Sequence, residues 1–550
     1  MDEKIEARNE EVRREEFKEG VKAWMKNPYN LTFLGILLFA IIIRLYFFSV
    51  TSGQALWWDE ADYLAYSKNL AGFPISWIIT AQHNSLYPFL AAGIFAVGFG
   101  ESFAKLALQV IPSVLTVFLT YFLVDKMYKD KRVALISSFL MATFWEHLFN
   151  TTRFHVDILG LFVGLLAIYI FWEGYESREK ICGKIDAKWT IPITVLLVAL
   201  TYSIRRGYFL FGIFFLVFML STRNWRSLLK DKYNWIALAI GVVMLFIIEN
   251  FVFISDVAEV GGRYFHPELA INFLAFDVFP AYFSSLSAIP SVLLYLFWIG
   301  IILMVGTVAL SFDKIRTLSR TKSDLFNLIA IVITLAMFIF ILRTPTNFGE
   351  PRWYFPLVLG AFVAVSKSSI FILDFIKKYN KKIAIIIIVV LLGVGGYYEV
   401  QHANSIIKMK TESYMGIRDA SIFIKENSAP SDIVLTKGQP QVEFYSERST
   451  LDASAFIDED RTSEEHFYTS LNAIKANPDI RFILITFTEP NYPDWMKKQT
   501  QSSWEIPFMD TKIDFATGQQ DIKQEKSYDE ITFRLRDVKQ EVFIYEIIRS

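Results

Sequence analysis

One cysteine, Cys182, stands among 550 residues, which excludes an internal disulfide and any cysteine-built metal cluster. Charge of one sign is also missing. With 55 basic and 56 acidic residues the net charge is −1, which says nothing about nucleic acid, and no such partner is expected. The chain has no internal repeat and no low-complexity tract. Residues 1–30 lack the short basic start and small-residue cleavage site of a signal peptide. They carry Glu10, Glu11, Arg13, Arg14, Glu15 and Glu16 and read as a charged cytoplasmic helix, so the apolar run that follows is expected to stay as an anchor.

Apolar residues are abundant. They make up 53% of the chain, aromatics 16%, and mean hydropathy is +0.35. That is too apolar for a soluble chain of this length, yet less apolar than a chain made of spans alone; a membrane domain plus a polar domain fits. A bilayer core of about 30 Å needs about 20 apolar residues as helix. Candidate spans begin near Leu31, Phe103, Val133, Val156, Thr190, Gly207, Trp235, Ala288, Leu325, Trp353 and Ile383, about eleven in all. Alternate loops are basic: Lys126 to Arg132, Arg178 to Lys188, Arg223 to Lys232, Lys314 to Lys322 and Lys377 to Lys382. The positive-inside rule puts these loops and the N-terminus in the cytoplasm and the C-terminus outside. Residues 86–99 are apolar but short. Read as a span they would invert every later loop, so they are expected to lie in the outer interface. Residues 190–221 are either two short spans or a re-entrant hairpin.

Three regions result: 1–30, a transmembrane catalytic domain over 31–400 with its first outer loop at 51–102, and an extracytoplasmic α/β domain over 401–550. In the last, short apolar strands at 433–436, 482–486 and 542–545 alternate with amphipathic helices such as 416–427. It has neither a Gly-rich phosphate loop nor a nucleophile motif. A role in covering or guiding something at the outer membrane face is expected of it.

The first outer loop opens on Trp57-Trp58-Asp59-Glu60, directly after the first span. The same loop carries Asp62 and His83, and other outer loops carry Arg153, His155, Asp157, Arg205, Arg206, Arg343, Glu350 and Arg352. Mid-span charges are few, and Arg44, near a span end, is expected to snorkel. A cation transporter would need ionisable groups at the midplane instead. Guanidinium forks match phosphate oxygens, and a nearby carboxylate can take a proton from a hydroxyl. Together these describe sugar transfer from a polyprenyl-phosphate donor with Asp59 as base and inversion at the anomeric carbon. Singly, each arginine reads better as a headgroup anchor, Asp59-Glu60 as solvated surface, and Trp57-Trp58 as aromatic belt. His266 reads as structural, and the sequon at Asn150 lies too near the membrane for a glycan. His83 and His155 do not form a recognisable metal-ligand set with Asp59 or Glu60.

The ordered motifs resemble the GT-C glycosyltransferases, in particular the protein O-mannosyltransferase and lipid A aminoarabinose transferase relatives. Trp58-Asp59-Glu60-Ala61-Asp62-Tyr63 resembles the family's first-loop Asp-Glu element. His83-Asn84-Ser85-Leu86-Tyr87-Pro88 resembles its Pro-Pro-Leu-Tyr segment, with Asn84 and Ser85 in place of the prolines. Arg153-Phe154-His155-Val156-Asp157 is similar to its Arg-x-x-x-Asp element. Leu200 to Gly207 resembles its Leu-Thr-Lys-Gly turn, with Arg206 in the place of lysine, and Pro351 to Pro356 its late Arg-Tyr-x-x-Pro element.

The resemblance implies a GT-C-like polytopic α-helical fold, a polyprenyl- or dolichyl-phosphate sugar donor, and a protein, glycan or lipid acceptor at the bilayer. Asp59 and Glu60 would be catalytic, and Arg153, Arg205, Arg206 and Arg352 would bind the donor phosphate. His83, Tyr87, His155, Asp157 and Tyr354 would bind substrate. Relatives differ in whether they bind a divalent metal, so none is assigned and the point stays open. Oligosaccharyltransferases of the same superfamily carry Trp-Trp-Asp in their soluble domain. Here it lies beside the first span, which favours transfer of a single sugar, with mannose suggested by the resemblance. A flippase for polyprenyl-linked sugars is the alternative from another class.

Overall fold

The computed structural model describes residues 15, 18–20, 22–80, 83, 85–253, 283, 291–315, 317–340, 350–455, 462–489 and 492–550; for 338–340 it describes the backbone alone. His266, Arg343 and Asn84, and most of the charged N-terminal stretch, lie outside these residues. The chain divides into two compact units. One comprises Met1–Val50 and Lys105–Lys408, the other Thr51–Ala104 and Met409–Ser550.

The first unit is helical. Among the described residues of the chain, eight helices are long and apolar enough to cross a membrane: Pro28–Val50, Glu101–Tyr128, Val156–Glu176, Ala187–Ile204, Lys232–Val252, Val292–Leu310, Pro351–Lys377 and Lys381–Lys410. Helices Lys131–Thr143, Leu210–Thr222 and Ser319–Phe340, of 13, 13 and 22 residues, lie near the other expected starts at Val133, Gly207 and Leu325 and are not among those eight. Residues 190–221 therefore form two helices, broken at Arg205 and joined by a 3-10 turn over Arg206–Phe209.

Charges from the basic loops meet one another. Lys126 pairs with Glu173 at 3.1 Å and with Glu179 at 2.9 Å, Lys322 with Glu176 at 2.6 Å, and Arg132 with Asp374 at 2.8 Å. Loops distant in sequence thus share one end of the bundle.

Arg44 does not snorkel. It is fully buried, donating to Ser113 Oγ at 2.6 Å and to the carbonyls of Ala142 at 3.1 Å and Met141 at 3.3 Å, with His147 Nδ1 at 2.9 Å. The cause is a helix break. The Lys131–Thr143 helix stops at Phe144, and the Trp145 amide turns to Glu399 at 3.2 Å. The last carbonyls of that helix are left without helical donors, and the guanidinium supplies them. This fixes the start of the short Trp145–Thr151 helix, which leads into Arg153 and His155.

The second unit joins the loop after the first span to the tail. Its strands are β1 (Ile433–Thr436), β2 (Thr450–Asp452), β3 (Ile480–Thr486), β4 (Lys498–Gln499), β5 (Ser503–Ile506), β6 (Thr511–Asp514), β7 (Gln520–Asp521), β8 (Glu525–Tyr528), β9 (Ile531–Lys539) and β10 (Val542–Arg549). The larger sheet runs β2-β1-β3-β10-β9-β8, parallel across β2, β1 and β3 and antiparallel beyond. β4 to β7 form a second, antiparallel sheet.

Both faces of the central strands are buried. Leu435, Ile483, Ile485 and Tyr545 fill one core, while Val434, Phe482, Leu484 and Ile544 pack with Ile417, Ala420 and Ile424 of the Met415–Asn427 helix. Covering on both sides explains the unbroken apolar runs of β3 and β10.

The Gln439–Ser446 helix of the tail packs on the Trp58–Leu70 helix that follows the first span. Tyr445 Oη accepts from the Leu56 amide at 2.9 Å, and Lys68 donates to the Phe444 carbonyl at 2.8 Å and pairs with Glu447 at 3.2 Å. The helix that carries Asp59 is therefore braced by the α/β domain. The Tyr87–Ala96 helix has 10 residues. At about 1.5 Å per residue it falls well short of a bilayer core.

Candidate functional site

Two polar clusters hold the expected residues, one in each unit. In the helical unit Asp157 opens the Val156–Phe171 helix and is fully buried. Arg205 Nη1 binds its Oδ1, Arg352 Nε lies 4.0 Å from its Oδ2, and the Tyr208 hydroxyl lies 3.4 Å from Oδ1. Small residues allow this approach: a Cβ on Gly160 would fall 2.7 Å from the Tyr208 ring, and one on Gly164 only 2.4 Å from Phe211. The turn carrying Arg205 can therefore sit close to Asp157.

His155 is buried in the same place. Its Nδ1 lies 2.9 Å from Asn150 Oδ1, its Nε2 lies 2.9 Å from Arg352 Nη1, and its carbonyl accepts from Gln109 Nε2 at 2.8 Å. Arg352 also pairs with the exposed Glu350. Tyr354 is buried within the Pro351–Leu357 turn.

Arg153 is buried, its guanidinium 5.8 Å from the Phe149 ring. Arg206 turns to Phe253, 4.0 Å from the ring. Its Nε and Nη2 are buried and have no hydrogen-bond partner among the described residues. Buried donors of that kind call for an acceptor. Arg205, Arg352, His155 and Asp157 are thus brought together, while Arg206 is held on an aromatic ring.

In the second unit the Trp58–Leu70 helix starts at Asp59 and Glu60. Glu60 Oε2 accepts from the Trp57 amide at 2.8 Å, so this buried carboxylate caps its own helix. Asp59 keeps 35% of its side chain exposed, and His83 Nε2 lies 3.6 Å from its Oδ1. The other imidazole nitrogen, Nδ1, is 2.5 Å from Asp62 Oδ2. Asp62 is fully buried and also accepts from Trp77 Nε1 at 2.7 Å and Thr80 Oγ1 at 2.6 Å. Tyr63 stands beside them, its ring 5.4 Å from His83 and 5.6 Å from Tyr87. Asp59, His83 and Tyr87 therefore share one cluster.

Asp62 as the hub, with Trp77 and Thr80 as its donors, went unread in the sequence. The signal was the Asp59 and Asp62 spacing of three, which puts both carboxylates on one helical face. No group of three or more His, Cys, Asp or Glu among the described residues is arranged to hold a metal ion.

Residues 82–249 match the family described as dolichyl-phosphate-mannose-protein mannosyltransferase. No curated protein sequence matches the chain. Among solved structures, the ArnT protein of Cupriavidus metallidurans bound to undecaprenyl phosphate is similar with a TM-score of 0.56 at 10% identity, covering 93% of this chain and 97% of that one. The oligosaccharyltransferase of Archaeoglobus fulgidus tethered to an acceptor peptide gives 0.54 at 14% identity, over 84% of this chain and 70% of that one. The oligosaccharyltransferase AglB, also of Archaeoglobus fulgidus, with an inhibitory peptide and a dolichol-phosphate gives 0.54 at 13% identity, with the same coverage. The chain is a multi-pass membrane protein with the fold of the GT-C glycosyltransferases.

Proposed function

We propose that this protein is a membrane glycosyltransferase that moves a single sugar from a polyprenyl- or dolichyl-phosphate donor to an acceptor hydroxyl at the outer face. The donor phosphate is bound by Arg153, Arg205, Arg206 and Arg352. Arg205 and Arg352 meet at Asp157, and guanidinium forks match the oxygens of a phosphate. The observation that carries the reading is Arg206, with two buried donors that have no partner among the described residues. The ArnT structure with undecaprenyl phosphate, similar along nearly the whole of both chains, supports the same donor class.

Asp59 takes the proton of the acceptor hydroxyl as its oxygen attacks the anomeric carbon from the face opposite the phosphate, and the configuration inverts. Arginine stabilises the charge that grows on the leaving phosphate. The partial exposure of Asp59 supports this role, because a base must be reachable by its acceptor.

Similarity to the archaeal oligosaccharyltransferase favours a second reading, transfer of a whole oligosaccharide. The tail of this chain has no Trp-Trp-Asp, which weighs for a single sugar. Purified protein in liposomes, supplied with labelled polyprenyl-phosphate mannose, glucose and N-acetylglucosamine, tests the proposal. Label covalently attached to an acceptor is the expected result. Label that only crosses the bilayer would make the protein a flippase instead.

A further inference from the structure

The Asp59, His83 and Asp62 chain has a direction. Asp62 is fully buried, and its oxygens accept from Trp77 Nε1, Thr80 Oγ1 and the Thr80 amide at 3.3 Å as well as from His83. Those donors hold the carboxylate oxygens in place, and Oδ2 is the acceptor that meets the imidazole. The hydrogen on the imidazole therefore belongs on Nδ1, the nitrogen 2.5 Å from Asp62. That leaves the lone pair of a neutral ring on Nε2, which faces the partly exposed Asp59 across 3.6 Å. Contacts of this length in a ligand-free site tighten when substrate fills it. The titratable groups placed against the ring by described residues are Asp59, Asp62 and the Tyr63 phenol.

We propose that His83 receives the proton that Asp59 takes from the acceptor hydroxyl, with Asp62 fixing the ring and balancing the charge it gains. The proposal rests on Asp59 being the base. In the step, the hydroxyl oxygen forms the new bond to the anomeric carbon with the electron pair of its O–H bond. The bond from that carbon to the phosphate oxygen breaks, and its pair leaves with the polyprenyl phosphate. The proton passes from the hydroxyl to Asp59 and on to His83 Nε2, giving an imidazolium whose Nδ1–H still binds Asp62. Asp59 is then ionised again for the next acceptor. His83 acts through Asp59 and is a positioning and proton-holding residue.

A brace between loop and helix would show the same contacts, so the test reads pH dependence. The full-length protein in liposomes turns over a mixed pool of short-chain polyprenyl-phosphate mannose, glucose and N-acetylglucosamine, and release of polyprenyl phosphate is followed from pH 5 to 9. In H83Q the turnover number should fall about 10- to 100-fold, a typical share for a proton-transfer partner. Its acid limb should move to lower pH, and donor affinity should stay within twofold. D62N should shift the acid limb in the same direction with a smaller fall, because the imidazolium loses its counter-charge. If H83Q does not fold, D62N carries the comparison. An acid limb at the wild-type pH in the folded variants overturns the proposal. Full turnover by D59N overturns the base assignment beneath it, and is read separately from the histidine variants.

Discussion

The two polar clusters differ in how their charges are kept. Around Asp157 the carboxylate is fully buried, Arg352 and His155 are buried with it, and each is tied to another member of the cluster. Around Asp59 the buried acid is Asp62, while Asp59 itself stays 35% exposed and next to an imidazole. The first arrangement is a fixed field, organised before any substrate arrives, which suits stabilisation of charge on a leaving phosphate. The second keeps a group that can lose and regain a proton. The difference teaches that electrostatic stabilisation and proton transfer place opposite demands on exposure, and the proposed function assigns each to its own set of side chains.

Breaking the fixed field should have the largest effect. Asp157→Ala leaves Arg205 and Arg352 without their shared carboxylate, and loss of one partner of a buried pair costs about 3–5 kcal/mol. The expected result is a large drop in the thermal midpoint in detergent; an unchanged midpoint would mean the arginines are satisfied without it. Arg206→Ala sharpens the comparison. It removes no hydrogen bond made by Nε or Nη2, so stability should change little, while affinity for polyprenyl phosphate should fall about tenfold, or about 1.4 kcal/mol. Equal lipid-phosphate binding by the variant and the wild type would remove Arg206 from the donor site.

The second unit should respond to pH. Burial lowers the Lys497 ammonium from 10.5 to about 8, so the folded chain gives up that proton before the unfolded chain does. Between those values the unfolded state binds more protons, and stability must rise as pH rises. Lys497→Met should flatten that rise in a denaturation series from pH 7 to 10.5; an unaltered slope would assign it to other groups. Tyr445→Phe should be the mildest change. It strips the acceptor from the Leu56 amide and should cost about 1 kcal/mol, read as a small shift in the melting of this unit with Asp59 chemistry retained.

Much of the fold was legible in the sequence because spans and strands are written in apolar length. β1, β3 and β10 cover the strands expected at 433–436, 482–486 and 542–545, and eight spans begin close to the expected starts. The helix break at Phe144 was not legible, since the span expected from Val133 has no proline or glycine there to mark it. The fate of Arg44 follows from that break, and a snorkelling arginine is what an unbroken helix would have required.

The gathering of Arg205, Arg352 and His155 on Asp157 needs contacts between residues up to 197 positions apart, and no local pattern encodes them. Asp62 was readable from its spacing to Asp59, yet its acceptance of three separate side chains depends on where Trp77, Thr80 and His83 come to lie, which no local pattern gives. Glu60 shows the opposite case. Its position three residues after Trp57 already fits a helix-capping carboxylate.

The most direct measurement compares donor binding with donor turnover in Asp59→Asn. The amide keeps the size of the side chain and removes its capacity to take a proton. The variant should bind polyprenyl-phosphate sugar like the wild type while turnover falls about 10²- to 10⁴-fold, the usual contribution of a general base. Wild-type turnover in a variant that binds donor normally would contradict the account.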